Sequence, residues 1–173
     1  MSLSMYQASV PVFTQMLTSL SAILDKVAAH ATAKKWDAAT VPATLRLIPD
    51  MLPFAKQIQI ASDHAKRAAA RLAGVEAPAY EDNETTIPEF KARIAKTLDY
   101  LRGIKPAQID GSEERVVEWP AGPRMRRLKG RDYLLAYAMP NFFFHVTTAY
   151  ALLREAGVDI GKADYVGPLP EIK

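Results

Sequence analysis

Arg131-Asp-Tyr-Leu-Leu-Ala-Tyr137-Ala-Met-Pro140-Asn-Phe-Phe-Phe-His145-Val-Thr-Thr-Ala-Tyr150-Ala-Leu-Leu-Arg-Glu155, followed by Ala156 and Gly157, is the stretch on which the fold turns. Leu134, Ala138, Asn141, His145, Thr148 and Leu152 step by three or four residues, so they share one face of a helix, and Gly157 supplies its stop. A face that is mostly apolar has to be covered by other helices. Pro140 removes one backbone hydrogen bond and predicts a kink just before His145.

Three further segments carry the same period. Val10, Phe13, Leu17, Leu20, Leu24, Val27 and Ala28 outline a first helix within residues 3 to 31, with Pro11 either marking its start near Val10 or kinking it. Phe54, Ile58, Ala61, Ala65, Ala68 and Leu72 outline a second, with Asp50 as the expected N-cap and Gly74 as the C-terminal glycine. Thr86, Pro88 and Glu89 have the order of a capped, acid-bearing first turn, so a third helix is expected from there to about Arg102. Residues 34 to 49 and 75 to 85 read as loops, the first with room for a short helical turn.

Between the third and fourth helices the period changes. Arg115 to Trp119 and Arg124 to Leu128 flank Pro-Ala-Gly-Pro, which predicts a short β-hairpin. Residues 158 to 173 are expected to pack along the surface. The reading is therefore all-α: a four-helix bundle with a hairpin between helices three and four, in one domain over residues 1–173.

Composition agrees and excludes much. Hydrophobic residues at 49% and charged residues at 24% are those of a folding globular chain. With no cysteine, disulfides, Cys-based zinc sites, iron–sulfur clusters and thiol nucleophiles are out, so any metal must use His, carboxylate or amide ligands. The opening residues lack a basic and then apolar leader pattern, and no apolar run is long enough to span a bilayer; a cytoplasmic protein without membrane partners is expected. Arg124, Arg126, Arg127, Lys129 and Arg131 form a basic cluster, but Glu113, Glu114 and Glu118 on the preceding strand are placed to offset it, so no nucleic acid is expected. Phosphate-binding, dinucleotide-binding, serine-hydrolase and zinc-protease motifs are missing.

Chemistry concentrates on two of the three histidines. His64 lies beside the stripe of the second helix, and His145 sits in the most aromatic stretch of the chain; both are expected to be buried, where an imidazole needs a hydrogen-bond partner or a metal. Asn141, one turn before His145, shares its face, so His64, His145 and Asn141 are the candidate metal set. Asp63 points about 100° away from His64 around the helix and is no orienting carboxylate for it. Tyr137 and Tyr150 read first as core aromatics, with a ligand-orienting role as the alternative.

The strings Met51-Leu-Pro-Phe54, Gln59-Ile-Ala-Ser-Asp-His64-Ala-Lys66, Leu134 to Met139, Pro140 to Tyr150 and Leu153-Arg-Glu-Ala-Gly157 resemble the DinB/YfiT-like metalloenzyme superfamily, and within it a bacterial subfamily known as a domain of unknown function. The resemblance runs from Met5 to Gly167. It implies a four-helix bundle, frequent homodimers, and a divalent metal such as zinc or nickel held by one His of the second helix and an HxxxH pair of the last. His64 matches the first ligand and His145 the second of the pair, while Asn141 stands where the remaining His belongs. An amide oxygen is a weaker donor than imidazole. Two readings stay open: a metal-dependent enzyme on a small molecule, thiol-transferase-like or hydrolytic, or a non-catalytic dimeric binding or structural module with a degenerate, metal-free site.

Overall fold

The computed structural model describes residues 3–37, 41–169 and 171, and the side chain of Val41 is outside that description. Four long helices build the bundle: α1 (Val10–Lys34), α3 (Phe54–Ala73), α4 (Ile87–Gly103) and α7 (Met139–Glu155). Short helices α2 (Val41–Thr44), α5 (Pro106–Ile109), α6 (Gly130–Asp132) and α8 (Lys162–Val166) join or flank them, and strands β1 (Val116–Ala121) and β2 (Arg124–Lys129) form one antiparallel hairpin. The long helices close a ring, α1 on α4, α4 on α3, α3 on α7 and α7 back on α1. This is an all-α four-helix bundle with the hairpin inserted before its last helix. Among the described residues no helix is long and apolar enough to cross a membrane.

The apolar stripes meet inside this ring. Phe13, Leu17, Leu24 and Val27 of α1, Phe54, Ile58 and Ala65 of α3, Phe90 and Ile94 of α4, and Phe142, Ala149 and Leu153 of α7 have lost all contact with solvent. Phe13 meets Phe142 edge-on at 4.9 Å between ring centroids, and Phe54 meets Phe90 at 5.8 Å.

Helix ends follow the local chemistry. α1 begins at Val10 with Pro11 in its first turn, where the missing N–H costs nothing, so the proline starts the helix and does not kink it. α4 opens on a capping box: the Glu89 N–H donates to the Thr86 hydroxyl, and the Thr86 N–H to the Glu89 carboxylate. Gly74 ends α3 in the left-handed region, φ 69°, as expected. The N-cap expected at Asp50 is corrected. The chain enters α3 only at Phe54, because Pro53 is extended and holds Leu52 before it out of helical conformation.

Two other boundaries differ from the sequence reading. The hairpin strands continue through Pro120 and Ala121, leaving Gly122 and Pro123 as the turn, with Gly122 at φ 61°. Pro120 costs this ladder little because β1 and β2 make the only sheet among the described residues, and each is an edge. Where a kink was expected, before His145, Tyr133–Ala138 is a π-helical segment, closed by a bond from the Met139 N–H to the Leu134 carbonyl. The wider turn accommodates a proline that has no N–H to give. The C-terminal segment packs along the surface of α1, with Lys26 2.8 Å from Asp164 and Gln15 donating to the Val166 carbonyl; on the way Val158 and Ile160 enter the core.

Candidate functional site

The α3 face toward α7 is built from small residues, Ala61, Ala65, Ala68 and Ala69, all fully buried. Short side chains let the two helices approach, and the approach puts His64 and His145 together. Their ring centroids lie 5.9 Å apart with planes inclined by 17°.

His145 is fixed from behind. Its Nδ1 is 2.7 Å from Oε1 of Gln57, a buried residue two turns before His64 on α3. Gln57 Nε2 in turn donates to the Leu52 carbonyl at 2.9 Å, which turns the amide so that its oxygen faces the imidazole. An amide oxygen only accepts, so His145 carries its proton on Nδ1 and its lone pair on Nε2. Phe144 packs edge-on against the same ring at 5.2 Å.

His64 faces the other way, onto a cavity of about 320 Å³ walled by Ile60, Arg67 and Arg71 from α3, Trp119 and Pro120 from the hairpin, and Tyr137 from the π-helical segment. Tyr137 stands edge-on to His64 at 5.8 Å, and Trp119 lies on Tyr137 at 4.6 Å. Burial holds the His64 imidazole down at about 4, reinforced by charge on His145, Arg67 and Arg71 and opposed by Asp63. Burial pushes His145 down to about 4 as well. Both rings are neutral at neutral pH, as acceptors or metal ligands must be.

The third residue of the expected set, Asn141, lies one turn before His145 on the same helix. Asn141 is on the α7 face but its Nδ2 donates to the Tyr137 carbonyl at 2.6 Å, within its own helix. No group of three His, Cys, Asp or Glu side chains able to hold a metal occurs among the described residues. The strong donors are two imidazoles, and the remaining amide oxygen is a weak, hard one; this set does not fit a three-histidine metal site.

Other expectations can be placed as well. Asp63 turns from the imidazole as expected: it pairs with Lys66 at 2.9 Å, Arg67 at 2.6 Å and the buried Arg93 at 2.9 Å. Tyr150 belongs elsewhere, edge-on to Tyr165 of α8 at 5.6 Å. His30 is likewise away from the pair, against Trp36. On the hairpin, Arg127 meets Glu118 and Lys129 meets Glu114, each at 2.6 Å, so two of the glutamates do offset the basic cluster.

Gln57, Arg67, Arg71 and Trp119 went unnoticed in the sequence. The first three fall at −7, +3 and +7 from His64 and so share its helix face, a signal that was present. Trp119 arrives through a hairpin whose docking no local pattern encodes.

Comparison with known proteins now bears on this geometry. Residues 5–166 match the family described as Domain of unknown function (DUF1993). The chain belongs to the DUF1993 family. Its DinB-like character is shown by a crystal structure at 1.83 Å of a DinB family member protein from Shewanella denitrificans, 40% identical, matched over 97% of this chain and 94% of that one with a TM-score of 0.88. No curated protein matches the chain. The DUF1993 bundle thus has the DinB-like fold.

Proposed function

We propose that this DUF1993 protein binds a small molecule in the cavity beside His64, and that its two histidines act there as neutral imidazoles and do not form the resident metal centre of their three-histidine relatives. The observation that carries this reading is the order Leu52 carbonyl, Gln57 amide, His145, His64, cavity. A tautomer is fixed at the buried end, and a neutral ring is presented at the open end. A neutral His64 can accept a hydrogen bond or a proton from a bound molecule, with Tyr137 and Trp119 supplying an apolar wall. Whether such a proton transfer is catalytic or only part of binding separates an enzyme from a binding module.

One feature favours the metal-dependent reading. A ligating histidine commonly donates its second N–H to a carbonyl, as His145 does to Gln57. Under that reading His64 and His145 hold zinc or nickel, water and Asn141 complete the shell, and the metal would supply Lewis-acid activation of water or a thiol.

Histidine ¹⁵N NMR separates these at neutral pH in metal-replete buffer. We expect two neutral imidazoles with His145 protonated on Nδ1 and a free Nε2. The upfield displacement of metal-bound nitrogens on both rings would contradict the proposal.

We further propose a homodimer. Leu47, Ile48, Leu52 and Phe144 are exposed apolar residues on the α2–α3 connection and the outer face of α7, and Leu47, Phe143, Phe144 and Ala151 line one shallow apolar depression. A second copy of the chain is the occupant that the DinB-like relatives' habit of pairing suggests.

A further inference from the structure

We infer that the cavity beside His64 selects a small organic anion, taking a carboxylate or phosphate head on Arg71 and laying its apolar body against Trp119 and Tyr137. This rests on the reading of that cavity as a small-molecule site and adds the class of molecule.

The cavity wall is rich in positive charge. His64, Arg67 and Arg71 occupy positions i, i+3 and i+7 of α3, so two guanidiniums line the same face as the imidazole. The one acid in the wall is Asp63, and it is shared among Lys66, Arg67 and Arg93. Arg71 pairs with no carboxylate among the described residues. Its Nη1 donates at 3.0 Å to the hydroxyl of the fully buried Tyr133, a neutral group, and its guanidinium lies 5.8 Å from the Trp119 ring and 5.7 Å from the Tyr133 ring. A half-buried guanidinium is costly without a counter-charge, and its remaining N–H groups form a planar fork matched to a carboxylate or a phosphate.

The hairpin supplies the rest. Trp119 is 2% exposed, and its indole N–H has no hydrogen-bond partner. It packs tilted against Tyr137, at 42° between the ring planes, forming an aromatic wall on the side of the cavity facing α3. Arg67, with half its side chain in solvent, stands at the mouth, where it draws anions in. A ligand held this way has its head at Arg71 and its body beside His64.

The test uses the full chain with Trp36→Phe, which leaves Trp119 as the one tryptophan, and three probes of similar shape: benzoate, phenyl phosphate and benzamide. Trp119 fluorescence and the His64 ¹⁵N signals are followed at constant ionic strength. Saturable binding of at least one anion, at least tenfold tighter than benzamide, is expected, and the preference between the two anions names the head group. Arg71→Leu is expected to weaken that binding at least tenfold, while Arg71→Lys, which keeps the charge and guards against a folding defect, retains part of it. Benzamide binding as tightly as both anions and moving His64 would leave the small-molecule site standing and overturn its anion selectivity. Silence of Trp119 and His64 toward all three probes would overturn both. Unchanged anion affinity in folded Arg71→Leu would overturn the role of Arg71.

Discussion

His64 and His145 stay neutral where an exposed imidazole would already be taking up protons, and this makes stability depend on pH. Both are held at about 4 in the folded chain, against about 6.5 in the unfolded one. Between those values the unfolded chain binds more protons, so stability rises with pH through this window and is lost as pH falls from about 6.5 toward 4. With two histidines the slope is at most about 2.7 kcal/mol per pH unit. Urea unfolding at pH 7.5 and 5 should show the loss, and His64→Gln/His145→Gln should flatten it; an equally steep fall in the double variant would place its origin elsewhere. The histidine pair was legible in the sequence because helical period and aromatic surroundings both marked it. Gln57, which orders His145, shared the same face but was hidden by chemistry that makes a glutamine look like a surface residue.

At the scale of elements, what was legible is what short-range chemistry controls. The Thr86 capping box, the Gly74 stop and the hairpin all rest on residues within a few positions of one another. Asp50 does not cap α3 because Pro53, three residues on, has an extended backbone that sets the start of the helix at Phe54. The π-helical segment was not legible beyond the expectation of some irregularity at Pro140, since the way a helix relaxes around a proline depends on what packs against it. The junction of hairpin and last helix falls between Lys129 and Arg131 as expected, but its close packing was not visible in the sequence. Gly130 is buried there, its N–H donates to the Arg115 carbonyl at 2.7 Å, and a Cβ would stand 2.0 Å from the Ser112 carbonyl oxygen. Gly130→Ala should therefore cost about 1–3 kcal/mol and move the hairpin that carries Trp119. Thermal unfolding together with Trp119 fluorescence in the Trp36→Phe background reads both effects; an unshifted midpoint and spectrum would show that the junction yields freely.

The molecule as a whole combines two polar centres across one apolar bundle. On one side of α3 lies the histidine cavity. On the other, Asp63, Lys66, Arg93 and Glu84 form a network in which Lys66 and Arg93 are nearly solvent-free, with the Tyr80 ring 3.6 Å from Lys66 Nζ. This network ties α3 to α4 and to the loop between them, and Asp63 belongs to both centres, so the cavity is braced by ion pairs as well as packing. The proposed dimer belongs to this scale. Light scattering should give twice the 19.1 kDa chain mass, and Phe144→Glu should give a folded monomer; a monomeric parent protein would remove the proposal.

On the proposed reading two neutral histidines, and not a bound metal, define the cavity. Metal stoichiometry separates this from the metal-dependent alternative. Protein dialysed against zinc or nickel and then against metal-free buffer should retain far less than one ion per chain, unchanged in His64→Ala and His145→Ala. Retention of close to one ion per chain, lost in both variants, would contradict it.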